Sequence, residues 1–264
     1  MRVDRSIIDD IKITDNILFT SVFENINIIK KFLEVILEFK ITNITLKQKE
    51  KVIDRVGKSR GIRLDVYVED VNSKIYDIEI QTSDEKNLLT RMRYYQGMID
   101  TNHLEKGQDF NDLKNTYIIF ICTFNYFKYI GLNDIMYKIQ PTLIDLNNKK
   151  YNISDGSTKI IINTKGDLKT IKNNDLKSFI ELLEDGFKPF TESELSNMMI
   201  KEMKRLKEDK EWGEKYMTLM EEAVKKNTKE IVIKMIQKGL DDDIVMSCSN
   251  LTQEQLDEIK KEVF

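Results

Sequence analysis

The chain has 264 residues, of which 33% are charged and 41% hydrophobic, and its 42 basic and 45 acidic side chains leave a formal net charge of −3. One histidine and two cysteines far apart in sequence exclude a Cys/His zinc centre and a disulfide framework, so any enzymatic chemistry falls to carboxylates and a hard, oxygen-binding cation such as magnesium. The acidic balance gives no global nucleic-acid footprint, and no apolar run approaches the ~20 residues of a membrane span; the expectation is a cytoplasmic protein with one domain and a helical appendage.

Residues 15–39 carry Phe19, Val22, Phe23, Ile26, Ile29, Phe32, Leu33, Ile36 and Leu37 at three- and four-residue spacing, which predicts a helical region with Asp15 at its N-cap. A polar, β-leaning stretch follows over 41–53. From Lys47 to Arg63 seven basic residues (Lys47, Lys49, Lys51, Arg55, Lys58, Arg60 and Arg63) stand against two acids, Glu50 and Asp54. Such a run is either a solvated loop or a surface that holds nucleic-acid phosphates.

It leads into the most informative stretch, 62–81, which reads as two strands around a polar turn. Ile62, Leu64, Val66 and Val68 alternate with Arg63, Asp65, Tyr67 and Glu69; then Tyr76, Ile78 and Ile80 alternate with Asp77, Glu79 and Gln81. The period of two predicts a hairpin with each of these two apolar sets on one face. Centring it on Asn72 pairs Val66 with Ile78 and sets Asp65 opposite Glu79. Carboxylates about 5 Å apart repel by roughly 3 kcal/mol at an effective dielectric of about 20. Two arrangements tolerate this: a face open to water, or a cation between the acids.

Residues 82–103 predict the next helix, with Leu88, Leu89, Met92, Tyr95 and Ile99 inward and Arg91 and Arg93 elsewhere, and His103 placed to cap its C-terminus. Residues 115–124 form a continuous apolar run, as a strand buried on both faces requires. Further strands are expected over 135–145 and 149–164, broken at Asn147-Asn148 and Asp155-Gly156, then a short helix over 176–183. Residues 192–226 are helix-forming and highly charged, with a Met-rich stripe. A helix over 230–237, a stop at Gly239, a helix opened by Asp241–Asp243 and a last one capped by Thr252 and Gln255 complete the chain. The C-terminal helices suit packing or self-association. The overall expectation is an α/β fold, a mixed sheet flanked by helices, with a helical C-terminal extension.

These parts resemble the PD-(D/E)XK nuclease superfamily, and within it the recombination-promoting nuclease/transposase branch. The resemblance is carried by D-x-x-x-F-x-x-x-F at Asp15, Phe19 and Phe23, R-L-D-V at Arg63–Val66, I-E-I-Q at Ile78–Gln81, and R-x-x-Y-Y at Arg91, Tyr94 and Tyr95. The C-terminal pattern from Gly239 is a weaker match. The resemblance implies a restriction-endonuclease-like core over residues 1–188 with a helical region over 189–264, and a metal-dependent endonuclease that hydrolyses DNA phosphodiester bonds. Asp65 and Glu79 would hold Mg2+ or another divalent cation such as Mn2+. Gln81 stands where the superfamily usually has Lys; since an amide does not titrate, its role would be to orient the attacking water. The superfamily's leading Pro is Leu64 here. An acid from the first helix often joins such a site, and Glu24 and Glu34 are the candidates. Arg91, Arg63, Arg60 and Lys58 would meet DNA phosphates. The alternative is an inactive nuclease-fold module that binds DNA or a protein partner. A homo-oligomer through the C-terminal helices is compatible with either.

Overall fold

The computed structural model describes residues 5–54 and 60–263. They fall into two compact units, one of residues 9–206 and a smaller one from residue 207 onward together with the first residues up to Ile8. In chain order the elements up to residue 208 are α1 (Arg5–Asp9), α2 (Asn16–Val22), α3 (Ile26–Leu37), β1 (Ile44–Ile53), β2 (Ile62–Asp70), β3 (Ile75–Gln81), α4 (Leu88–His103), β4 (Thr116–Cys122), β5 (Met136–Ile139), β6 (Thr142–Ile144), β7 (Lys150–Asn152), β8 (Ser157–Asn163), α5 (Asn174–Asp185) and α6 (Glu194–Glu208).

Among the described residues the larger unit contains a six-stranded sheet in the order β1-β2-β3-β4-β8-β5. Its first three strands are an antiparallel meander. The α4 crossover then makes β4 parallel to β3, β8 lies parallel to β4, and β5 closes the far edge antiparallel. This is the mixed sheet flanked by helices that the pattern of elements predicts. Residues Ile118 to Cys122 are completely buried, as a central strand covered on both faces demands. β6 and β7 form a separate exposed hairpin.

The helical region over 15–39 is two helices. Asp15 caps the first by accepting from the Ile17 and Leu18 N–H groups at 3.0 and 2.9 Å. The chain restarts at Asn25, whose side chain accepts from the Asn27 N–H at 3.1 Å. A row of aromatic contacts, Phe19–Phe23 at 4.4 Å, Phe23–Phe32 at 5.2 Å and Phe32–Phe179 at 5.1 Å between ring centres, joins α2 and α3 to α5. Gly186 closes α5 at φ +92°, where a Cβ would meet the Lys12 side chain at 2.7 Å.

The helix expected from residue 82 begins at Leu88. Before it the chain turns at Lys86, which has φ +56° and donates its N–H to Asp84 at 3.0 Å. Met92, Met98 and Ile99 of α4 then join Tyr67, Ile118, Phe120 and Ile161 in one core cluster.

In the smaller unit α7 runs unbroken over Lys210–Gln237, followed by α8 (Asp242–Ser249) and α9 (Gln253–Val263). The expected break near 227–229 is absent because neither Gly nor Pro stands there, and the helix carries its one glycine near its start, at Gly213. The break comes earlier, at Asp209, whose carboxylate accepts from the Glu211 and Trp212 N–H groups. Val232, Val245 and Leu256, one from each helix, are fully buried together. Thr252 and Gln255 form the reciprocal cap expected from sequence, at 2.9 and 3.3 Å. No described helix is long and apolar enough to cross a membrane.

Candidate active site

The hairpin has the anticipated register. Its ladder pairs Glu69 with Ile75, Val68 with Tyr76, Tyr67 with Asp77 and Val66 with Ile78. The next pair is Asp65 and Glu79, and there side chains replace the main-chain ladder. The Asp65 N–H donates to Glu79 Oε1 at 2.8 Å, and the Ile80 N–H donates to Asp65 Oδ2 at 3.3 Å. Each carboxylate thus staples its own strand to the other where the strands part.

The strand on the other side deforms at the same level. β1 pairs Lys49 with Val66 and Lys51 with Leu64, passing over Glu50 and Asp65. Glu50 has φ +50°, a conformation that is uncommon for a residue with a Cβ. The irregularity changes which face β2 presents. Ile62 and Leu64 join Tyr67 in the core beneath α4. Val66 lies opposite Lys49, whose ammonium reaches Ser21 at 2.9 Å and Glu24 at 3.1 Å on the side of α2. The expectation of one face for Ile62, Leu64, Val66 and Val68 is therefore corrected: the alternation slips at Asp65.

An open cleft of about 690 Å³ faces this break, lined by Asp65, Glu79, Gln81, Arg91, Arg60 and Arg63, with Asn16, Tyr94 and Tyr95 at its walls. Asp65 and Glu79 are 8% and 3% exposed, which rules out a freely solvated strand face. Burial pushes the Asp65 carboxyl up to about 6, against the Ile80 N–H and the Arg63 charge, which pull it down. Glu79 is pushed well above the usual carboxylate range by burial, then by the charges of Asp77 and Asp65.

Asp77 is a third acid on the same face of β3, and the sequence reading gave it no role. It is completely buried, and its carboxyl oxygens have no partner other than the neighbouring Glu79 carboxyl. Burial, then the charge of Asp65, raises it well above its ordinary value. Its position two residues before Glu79 was the available signal, since residues i and i+2 share a strand face.

Among the described residues, Arg91 is the cation hydrogen-bonded into this group. Its Nη1 donates to Gln81 Oε1 at 2.6 Å and its Nη2 to the Tyr95 hydroxyl at 3.2 Å, while Nη2 stays 3.9 Å from Glu79 Oε2. The guanidinium lies 5.3 and 5.6 Å from the ring centres of Phe120 and Tyr95. Arg63 projects outward, 3.9 Å from Glu50. Lys58 lies outside the described residues.

The two acids anticipated from the first helical region are not brought here. Glu24 pairs with Lys49 at 3.1 Å. Glu34 accepts from the Ile41 N–H at 3.1 Å, anchoring the exit from α3. Neither lines the cleft, and α2 contributes Asn16 instead, whose buried Oδ1 has no hydrogen-bond partner. His103 does not cap α4 with its ring; its Nε2 lies 2.6 Å from the Tyr67 hydroxyl.

A divalent cation fits the chemistry of this donor set. Asp65 Oδ1 and Glu79 Oε2 are the oxygens the staple leaves over, and raised carboxyl pKa values mark a site short of positive charge. Among the described residues no three His, Cys, Asp or Glu side chains are grouped to hold a metal ion. Magnesium suits such sparse coordination, since it commonly takes one or two carboxylates and completes its shell with water and substrate phosphate.

The family model described as PD-(D/E)XK nuclease family transposase matches residues 16–238, and with it the restriction-endonuclease-like α/β arrangement described above. No curated protein and no solved structure matches the chain.

Proposed function

We propose, for a chain that belongs to the PD-(D/E)XK nuclease family transposases, a divalent-cation-dependent endonuclease that hydrolyses DNA phosphodiester bonds in the cleft at Asp65 and Glu79. The observation that carries this reading is the pair of buried carboxylates stapled across parting strands, each with a second oxygen left over at the cleft. Asp65 and Glu79 would hold the cation, most simply Mg2+, with Mn2+ as a substitute. When bound, such an ion polarises the scissile phosphate and lowers the pKa of its water.

The chain's own residues supply the rest. Arg91, close to Glu79 and half-buried, offers its remaining N–H donors to a phosphate oxygen, where a planar fork suits the geometry. Arg60 and Arg63 at the mouth draw the backbone of the nucleic acid in, and this contribution weakens with added salt. Burial of both acids strengthens the charge interactions they make.

The test is nicking of supercoiled plasmid in Mg2+ and in Mn2+. Asp65→Asn and Glu79→Gln, which retain an oxygen for the staple, are expected to abolish nicking while remaining folded by circular dichroism. Variants that cut as well as the parent would overturn the proposal. Salt-sensitive DNA binding by the parent without cleavage in any metal would instead support a nuclease-fold module that binds without cutting.

A further inference from the structure

We infer that Gln81 is a positioning residue acting through Arg91: it braces the guanidinium beside Glu79, with Tyr95 as the second brace. The inference rests on the nuclease reading for its consequence and on the geometry of the cleft for its content.

Both ends of the Gln81 amide are already committed. Its Nε2 donates to the Ser83 carbonyl oxygen at 2.8 Å and to Ser83 Oγ at 3.2 Å, and its Oε1 accepts from Arg91 Nη1 at 2.6 Å. A carboxamide has two N–H donors, and here both are directed at Ser83. The partners also fix the direction of the amide. A guanidinium only donates and a backbone carbonyl only accepts, so exchanging the oxygen and nitrogen of Gln81 would break both contacts. What faces Arg91 is therefore an acceptor, and the N–H donors of the amide are spent on Ser83.

Arg91 in turn is held from three directions. Gln81 takes one donor and Tyr95 another, and the rings of Phe120 and Tyr95 lie 5.3 and 5.6 Å from the guanidinium carbon. Of the five N–H donors of a guanidinium, two are used in this bracing, and the rest stay available. The 3.9 Å separation from Glu79 is too long for a hydrogen bond, so the brace keeps the cation near Glu79 without consuming its oxygen. Gln81 is the residue that sets this distance, because it stands on β3 two positions after Glu79 and reaches Arg91 directly.

A double-mutant cycle on the full chain tests this. Gln81→Met, close to glutamine in length but lacking the acceptor, is expected to lower kcat for plasmid nicking about tenfold with KM changed less than about twofold. In an Arg91→Ala background the same substitution is expected to change kcat by less than about twofold, because the residue it serves is gone. Equal losses in both backgrounds, or none in the parent, would overturn the inference. A second arm needs no catalysis: the side-chain 15N–1H signals of Arg91, without metal or DNA, are expected to broaden or shift in Gln81→Met, and less so in Tyr95→Phe. If the parent fails to cut in any metal, the nuclease reading falls while this arm still decides; an unchanged Arg91 spectrum in Gln81→Met sinks the brace.

Discussion

The two ends of the β2–β3 hairpin receive opposite electrostatic treatment. At the turn-side end Glu69 accepts from the Tyr67 hydroxyl at 2.5 Å and pairs with Lys114 at 3.1 Å, with His103 at 3.7 Å and Lys51 3.6 Å above the Tyr67 ring. Burial alone would raise Glu69, but the hydrogen bonds from Tyr67 and Lys114 more than offset it and hold the carboxyl below its usual range. Toward the cleft Arg91 acts on Asp65, Asp77 and Glu79, and Arg63 on Asp65 as well, yet all three carboxyls are raised, by burial first. The same two strands thus carry one carboxylate whose charge is met by the protein and a group whose charge is not. The difference separates an acid that serves the fold from acids kept for something that arrives later.

The largest test of that contrast is catalytic. Glu79→Gln is expected to lower nicking by about a thousandfold or more, in line with removal of a group that stabilises charge in the transition state. Glu69→Gln, four residue pairs beyond the parting point, should leave kcat within about twofold. Equal losses at both positions would mean that the hairpin matters to activity only as structure.

Stability should run the other way. Glu69→Ala takes the carboxylate from Lys114 and leaves the Tyr67 hydroxyl with His103 as its partner, and is expected to cost about 2 kcal/mol in urea denaturation. Asp65→Asn, without divalent ions at pH 7.5, is expected to stabilise the fold by about 1–3 kcal/mol, because it removes a charge that burial disfavours.

The pH dependence sharpens the comparison. Asp65 has a folded pKa of about 6, above its ordinary value of 3.8, so its ionisation opposes folding at neutral pH. That penalty disappears as the carboxyl is protonated in both states. The advantage of Asp65→Asn should therefore shrink as pH falls from about 7 to about 4, whereas Glu69, whose pKa is depressed, contributes at neutral pH and loses its contribution below its ordinary pKa. Millimolar magnesium at pH 7.5 should raise the melting temperature of the parent but not of Asp65→Asn, and by less at pH 5.5, where bound protons compete. The smallest effect is expected at Tyr67→Phe, about 1 kcal/mol for one hydrogen-bonding hydroxyl, measured by the same denaturation.

Much of this hairpin was legible in the residues, because period-two patterning fixes register wherever one face is buried. Val66 opposite Ile78, and with it Asp65 beside Glu79, followed from parity together with a turn centred on Asn72. The slip at Asp65 was not legible, since it arises from Glu50 on a third strand and no local pattern encodes a neighbour's irregularity. The acid from the first helix was misplaced for a related reason. Helical spacing identifies the buried stripe of α2 and α3, but which exposed carboxylate points toward the sheet depends on where the chain breaks, here at Phe23–Asn25. Arg91 was singled out in the sequence as a candidate phosphate partner. Its grip on Gln81 and Tyr95 was not, because a hydrogen bond between a strand end and a helix depends on the turn at Lys86 that sets their separation.

The staple at the parting strands has a consequence for descendants of such a chain. Asparagine at 65 and glutamine at 79 still present an oxygen to the backbone N–H groups that Asp65 and Glu79 now serve, and they do so without a buried charge. Drift toward silence would therefore meet no barrier from folding, and a silent copy would be the sturdier one. Persistence of both acids in a gene pool would then have to come from selection on what their charges do in the cleft, because folding stability favours their loss.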